Sequence, residues 1–199
     1  MHEDSPIFST IDAARAEGLA GDAVEQRVWE RHGVTCAMLA LDSSGMTRVS
    51  QSHGIVHFLT RYRQMRDLAG AILQRRACLA WRCFADNVFA ELPDADAALG
   101  AALEIHRALR ESGLMVTEEE PFRVCIGIGH GRVLANGRGG VMGEEMNLVA
   151  KLAEDIAQGG ETLLTPSGYR SLKAHAGVPV EKIPLTISKV DATHYRVRG

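Results

Sequence analysis

Two aspartates and an amide–ammonium pair are the side chains of this sequence best suited to chemistry on a phosphate ester. Asp42 ends an apolar run, and Asp86 sits in the turn of a short hairpin pattern. A pair of carboxylates completed by substrate phosphates is how Mg²⁺ is usually held, because the ion prefers oxygen ligands and keeps several waters. Taken singly, Asp42 could equally cap a helix and Asp86 shape a turn. Their joint placement, where strands meet turns, points to a metal. Between Asp42 and the next helix lie Ser43, Ser44, Gly45, Met46 and Thr47. Gly45 permits a tight turn there, and backbone N–H groups at a helix start cradle phosphates. Asn147 and Lys151 are four residues apart and share one helix face, where they can grip an anionic, oxygen-rich ligand. A solvated polar face is the plainer reading of the same pair.

The elements that must position these groups follow from periodicity. Residues 7–32 carry a broken apolar stripe (Ile11, Ala14, Leu19, Val28) interrupted at Gly18 and Gly21, which predicts two short helices. Residues 34–41 form a continuous apolar run, suited to a central strand buried on both faces. A long helix is expected next, burying Ile55, Leu59, Tyr62, Leu68 and Ile72, with Arg75 and Arg76 near its C-terminus. Residues 78–92 read as two strands joined at Ala85-Asp86-Asn87. Pro93-Asp94 then opens a helix with Ala98, Ala102, Ile105 and Leu109 inward and Gly113 as its stop. Phe122, Val124, Ile126 and Ile128 alternate with Arg123, Cys125, Gly127 and Gly129, the pattern of a half-buried strand. A glycine-rich turn and a polar, glycine-rich loop are expected after it, ahead of a helix with Val149, Leu152 and Ile156 on one stripe. Short strands follow at residues 162–165 and 193–197. This order suggests an α/β (α+β) fold, a ferredoxin-like open sheet with helices packed on one face. In such a sheet the first strand and the hairpin can lie side by side, which would let Asp42 and Asp86 converge.

Composition narrows the partners. A chain of 199 residues fits one domain, here read as a helical extension over residues 1–33 followed by a domain over 34–199. The content, 46% hydrophobic and 24% charged, is ordinary for a soluble protein, and a net charge of −3 gives no basic footprint for nucleic acid. Cys36, Cys78, Cys83 and Cys125 form no CxxC pair, so neither a zinc site nor a disulfide scaffold is indicated. The acidic start does not read as a secretion signal, and no apolar run nears the roughly 18 residues of a membrane span. A cytoplasmic protein without membrane attachment is expected. His53 and His57 have a metal-ligand spacing but no third ligand, and Gly127-x-Gly129-x-Gly131 is followed by no helix that would make it a dinucleotide fingerprint.

The stretches LALDSSGMT, RCFADNVFAEL, IGIGHGRV and GEEMNLVAKL resemble, in order, four motifs of class III nucleotide cyclase catalytic domains. The resemblance spans about residues 34–197. It implies a ferredoxin-like core that dimerises head to tail, with active sites in the interface. The reaction implied converts a nucleoside triphosphate, with ATP the expected substrate, to a 3′,5′-cyclic nucleotide and pyrophosphate, using two divalent ions (Mg²⁺ or Mn²⁺). Asp42 and Asp86 match the two metal aspartates. Asn147 matches the asparagine that orients the ribose from the other subunit.

Several positions depart from the family pattern. Lys151 stands where an arginine usually stabilises the transition state; it keeps the charge but loses the bidentate fork, so weaker catalysis is expected. Arg82 holds a base-reading position and can only donate hydrogen bonds. The second base-reading position falls at Gly140, and Ala85 replaces the usual glycine before the second aspartate. Cys125 falls where a phosphate-binding arginine is common, with Arg123 as its substitute; Lys189 is a further candidate phosphate contact. A loop between residues 131 and 147 is shorter than usual. These departures keep open a second reading, a weak or inactive cyclase-homology domain that binds nucleotide or dimerises.

Overall fold

The computed structural model describes residues 5–137, 140–173, 177–184, 186–187, 190–191 and 193–198; Lys189 lies outside them. Two helices, α1 (Pro6–Ala16) and α2 (Asp22–His32), precede the sheet, as the broken apolar stripe predicts. The apolar run forms β1 (Gly33–Ser43), two residues longer at its C-terminal end than expected, so Asp42 lies inside the strand. Next come α3 (Met46–His53), α4 (Ile55–Arg75), the hairpin of β2 (Ala80–Phe84) and β3 (Asn87–Leu92), and α5 (Ala95–Ser112). Then follow β4 (Val124–Ala135), β5 (Val141–Met142) and α6 (Glu144–Lys151), which runs on into a π-helical turn over Leu152–Ile156. The chain continues through β6 (Thr162–Leu164), α7 (Pro166–Arg170), β7 (Val180–Ile183), the small hairpin of β8 (Thr186–Ile187) with β9 (Val190–Asp191), and β10 (His194–Val197).

The main sheet has the order β2-β3-β1-β4-β6-β10-β7, with β5 folded back on β4. Both β3 and β4 run antiparallel to β1, while β4 and β6 are parallel. Each of the two long helices α4 and α5 therefore links strands that are parallel to one another with a third strand between them. Two such interlocked units make the ferredoxin-like core expected from the element order.

Because side chains alternate along a strand, β1 needs cover on both sides. Ala37, Leu39 and Leu41 enter one core with Phe58, Met65 and Ile72 of α4, Ile105 of α5, and Ile126 and Ile128 of β4. Cys36, Met38 and Ala40 enter a second core with Met146 and Val149 of α6 and Ala153 of the π turn. Helices thus pack on both faces, not on one as the element order suggested. The uniformly apolar run of β1 is the physical reason.

Two further expectations are corrected. The long helix is broken at Gly54, whose φ of 86° separates α3 from α4. The buried face of α4 is Phe58, Tyr62, Met65, Ala69, Ile72 and Leu73, whereas Ile55 and Leu59 are each 44% exposed. In its first turn the helix buries Phe58 where Leu59 was read, and the two faces coincide again at Tyr62. By contrast, α5 buries Ala98, Ala102, Ile105 and Leu109 and stops at a left-handed Gly113, as expected.

No turn occurs at Gly129–Gly131: β4 runs straight through the glycines to Ala135. These glycines serve a close approach instead. A Cβ at Gly127 would fall on the Val149 carbonyl oxygen, and one at Gly129 on the Glu145 carboxylate. The bare strand lets α6 lie directly on β4. Glu145 then fastens the helix, accepting hydrogen bonds from Thr165 Oγ1, Ser167 Oγ and the His130 N–H. Gly127→Ala is expected to lower the unfolding free energy by about 1–3 kcal/mol through overpacking against backbone. Gly131→Ala, whose added carbon meets nothing nearer than Glu145 Cγ at 3.6 Å, should cost clearly less. Denaturant titration of both variants checks this; equal losses would contradict the close-approach account.

Candidate active site

Strand register assembles the site. Leu41 pairs with Val88 across β1–β3, and Asp42 with Cys125 across β1–β4. In the hairpin, Phe84 pairs with Asn87, leaving Ala85 and Asp86 as a two-residue turn. Ala85 has φ 52°, a left-handed conformation uncommon outside glycine. Alanine here holds a backbone conformation that glycine adopts more readily. Ser43 Oγ donates to the Asp86 carbonyl oxygen at 3.0 Å, pinning the turn to the end of β1.

The result is a crowd of acids. Burial raises the Asp42 carboxyl to a pKa of about 7, and the negative charges of Asp86 and Glu154 add to it against a Ser43 backbone hydrogen bond. Glu154 comes from the π turn, and Asn87 Nδ2 donates to its Oε1 at 3.1 Å. Burial, Asp155 and Asp86 push Glu154 upward as well. Among the described residues, no basic side chain is ion-paired with Asp42 or Asp86. A divalent cation would supply the missing positive charge. Among the described residues no cluster of three or more metal-ligating side chains is closed. An ion here would take two carboxylates and complete its shell from water and phosphate, a donor set that fits Mg²⁺ or Mn²⁺.

The phosphate cradle expected over residues 43–47 is narrower than its sequence suggests. Ser43 belongs to the β1 ladder, and the Ser44 N–H already donates to the Arg123 carbonyl oxygen at 3.1 Å. Gly45, with φ 89°, is the N-cap of α3, and no side chain caps that helix. Gly45, Met46 and Thr47 therefore present the uncapped amides of the first turn. Arg123 is exposed, carries no ion pair among the described residues, and lies two residues before the cross-strand partner of Asp42. Cys125 itself is buried, and burial, then Asp42 and Glu161, push its thiol up to about 12. A neutral thiol at this position offers no positive charge to a phosphate.

Asn147 and Lys151 do not join this group within one chain. Asn147 is exposed on α6, and Lys151 Nζ donates to Asp155 Oδ2 at 3.2 Å, one turn along its own helix. Neither makes a hydrogen bond or ion pair with Asp42 or Asp86. Arg82 and Gly140, in contrast, do meet: a Cβ on Gly140 would fall on the Arg82 guanidinium, which also lies 5.6 Å from the Phe89 ring centroid. Glu154 was missed by sequence reasoning. Its spacing from Lys151 gives no hint of it, because the π turn re-aims the residues that follow.

Compared with solved structures, the chain matches the adenylate/guanylate cyclase/hydrolase from Silicibacter pomeroyi with a TM-score of 0.69 at 21% identity, over 83% of this chain and 96% of that one. The fold is that of class III adenylate/guanylate cyclase catalytic domains. This cyclase fold is shared with the guanylate cyclase domain of RhGC from Catenaria anguillulae in complex with GTP: TM-score 0.68, 17% identity, 82% of this chain and 96% of that one. It is shared also with a non-canonical dimeric guanylyl cyclase domain of the RhoGC fusion protein from the aquatic fungus Blastocladiella emersonii: TM-score 0.67, 16% identity, 84% of this chain and 98% of that one. No protein-family model matches the chain, and no curated protein does.

Crowded acids should be visible in stability. The folded Asp42 holds its proton up to a pH of about 7, whereas the unfolded residue loses it near 3.8. Between those values the folded state binds more protons, so metal-free stability should fall as pH rises from about 4 to 7 and then level off. Asp42→Asn removes that loss. In a chelator its melting temperature should exceed that of the natural protein at pH 8 and converge with it at pH 4. A variant less stable than the natural protein at pH 8 would contradict the electrostatic account.

Proposed function

We propose that this chain is a nucleotide cyclase converting a nucleoside triphosphate to a 3′,5′-cyclic nucleotide and pyrophosphate at a site completed by a second copy. The observation that carries the reading is the convergence of Asp42 and Asp86, uncompensated by any cation among the described residues, beside the uncapped start of α3. When bound, two divalent ions supply Lewis-acid neutralisation of the attacking 3′-oxygen and of the departing pyrophosphate. Asp42 and Asp86 would hold them. The amides of Gly45, Met46 and Thr47 hold the β- and γ-phosphates, with Arg123 alongside. The ribose 3′-oxygen forms its bond to the α-phosphorus as the bond from that phosphorus to the pyrophosphate oxygen breaks, and the hydroxyl proton passes to water.

Asn147 and Lys151 enter from the second copy in a head-to-tail homodimer, Asn147 orienting the ribose and Lys151 neutralising charge at the α-phosphoryl group. The exposure of Asn147 and the absence of any bond from Asn147 or Lys151 to Asp42 or Asp86 among the described residues support this division. So does the sheet face that carries Arg82 and Phe89, which α6 covers only in part, with Phe84 74% exposed at its hairpin tip. Lysine in place of arginine forfeits bidentate contact, so turnover is expected to be modest. A cyclase-homology domain that binds nucleotide without turnover is the competing reading, favoured by the Lys151–Asp155 pair and the neutral Cys125.

The purified protein incubated with Mn²⁺ and each of the four ribonucleoside triphosphates should yield a cyclic nucleotide and pyrophosphate in equal amounts. Asp42→Ala should lower the rate by at least about a hundredfold. A folded, dimeric protein that gives no product from any triphosphate would contradict catalysis and support the non-turnover reading.

A further inference from the structure

A cavity of about 520 Å³ opens beside the C-terminal end of α5. Gly113 stops that helix in a left-handed conformation and sends the chain into a short arch. The arch is closed by the Met115–Pro121 bridge and by the Phe122 N–H, which donates to the Leu114 carbonyl oxygen at 2.9 Å. The Gly159-Gly160 turn also lines the cavity and is tied to β4, the Gly160 N–H donating to the Val124 carbonyl oxygen at 2.8 Å. Leu109, Leu114, Met115, Pro121 and Phe122 form an apolar wall. The volume falls in the range of small-molecule sites, about 300–1,000 Å³.

The charge around this cavity has one sign. Arg110 and Arg123 both border it, both are exposed, and neither carries an ion pair among the described residues. Among those residues no Asp or Glu lines it. His106 lines it too, but burial and then the Arg110 charge push its pKa down to about 4, so near neutral pH it adds no charge. Its ring is already occupied: Nε2 lies 3.0 Å from Thr162 Oγ1, and the ring also hydrogen-bonds the Glu161 backbone. Neighbouring recesses answer their arginines with acids. The recess bordered by Arg196 and Arg198 includes Glu161, which pairs with Arg196 at 3.0 Å, while Arg198 pairs with Glu181. The recess bordered by Arg61 includes Glu118 and Glu119.

We infer that this cavity binds an amphipathic organic anion, its oxyanion head group held by Arg110 and Arg123 and its apolar body filling the space against Leu114, Met115 and Phe122. The guanidinium fork meets a carboxylate or a phosphate through paired, charge-assisted hydrogen bonds. The apolar wall gains by losing its contact with water. A cation in the last turn of a helix is favourable by itself, which accounts for Arg110. It accounts for neither Arg123 nor the apolar wall beside it. The inference stands apart from the cyclase reading, and the failure of either leaves the other in place.

Calorimetric titration of the full chain tests this with octanoate, octyl phosphate, octanol and acetate, in a chelator so that no metal contributes. Octanoate or octyl phosphate should saturate one site per chain with a Kd at or below about 1 mM. The tighter of the two names the head group, and it should bind at least about tenfold more tightly than octanol or acetate. Arg110→Gln should weaken that binding at least about tenfold. The same variant should keep the melting temperature of the ligand-free protein, because an exposed, unpaired side chain contributes little to the fold. Met115→Trp, which fills the cavity, should abolish binding in a protein whose circular dichroism is unchanged. If octanol binds as well as the anions, or Arg110→Gln binds as well as the natural protein, the anion site is overturned. Failure of both anions to saturate the protein overturns it too.

Discussion

The structure depends on one costly placement: a carboxylate at the end of the most deeply buried strand, beside two other acids. Asp42 sits at the end of β1 because the strand runs two residues beyond its apolar core, and Ser43 ties the Asp86 turn to the same spot. Burying a charge without a partner is unfavourable, and like charges nearby make it worse. Asp42 answers by holding its proton to a pH of about 7. Such an arrangement contributes nothing to the stability of the metal-free fold. On the reading proposed here, a divalent ion and a polyphosphate are what these acids receive.

The rest of the fold serves to hold that strand rigid from both sides. The α4–α5 layer fills one face of β1, and α6 fills the other by lying directly on the glycines of β4. That close approach has a second consequence. It sets the rotation of α6, so that Val149 and Met146 point inward and Asn147 points out to solvent. The π turn then swings Glu154 to the Asp86 hairpin instead of continuing the helical register. One chain therefore clusters its acids at the end of β1 and the hairpin turn and carries an amide–lysine face on α6. On the reading proposed here, two copies each supply what the other lacks.

Much of this was legible from the residues. The apolar run of β1, the capped helix between Asp94 and Gly113 and the polar hairpin turn each follow from local chemistry and appear where expected. The convergence of Asp42 and Asp86 follows from the same element order. What was not legible has physical reasons. Glycines at alternate strand positions read as a turn, because nothing local distinguishes a chain that must bend from one that must admit a neighbour. The true face of α4 turns on whether Phe58 or Leu59 meets the core, and two adjacent apolar residues leave periodicity unable to choose. Glu154 stayed hidden because an ordinary helix would have carried it elsewhere.

The central claim is that the reacting groups come from two copies. It is tested most directly by mixing Asp42→Ala with Asn147→Ala, each inactive alone, and measuring cyclic nucleotide formation. A mixed dimer would hold one intact site and one doubly defective site. With random pairing the equimolar mixture should recover about a quarter of the natural activity, since half the dimers are mixed and each keeps one of two sites. No recovery from folded, exchanging chains would contradict the shared site and place Asn147 with the aspartates of its own chain.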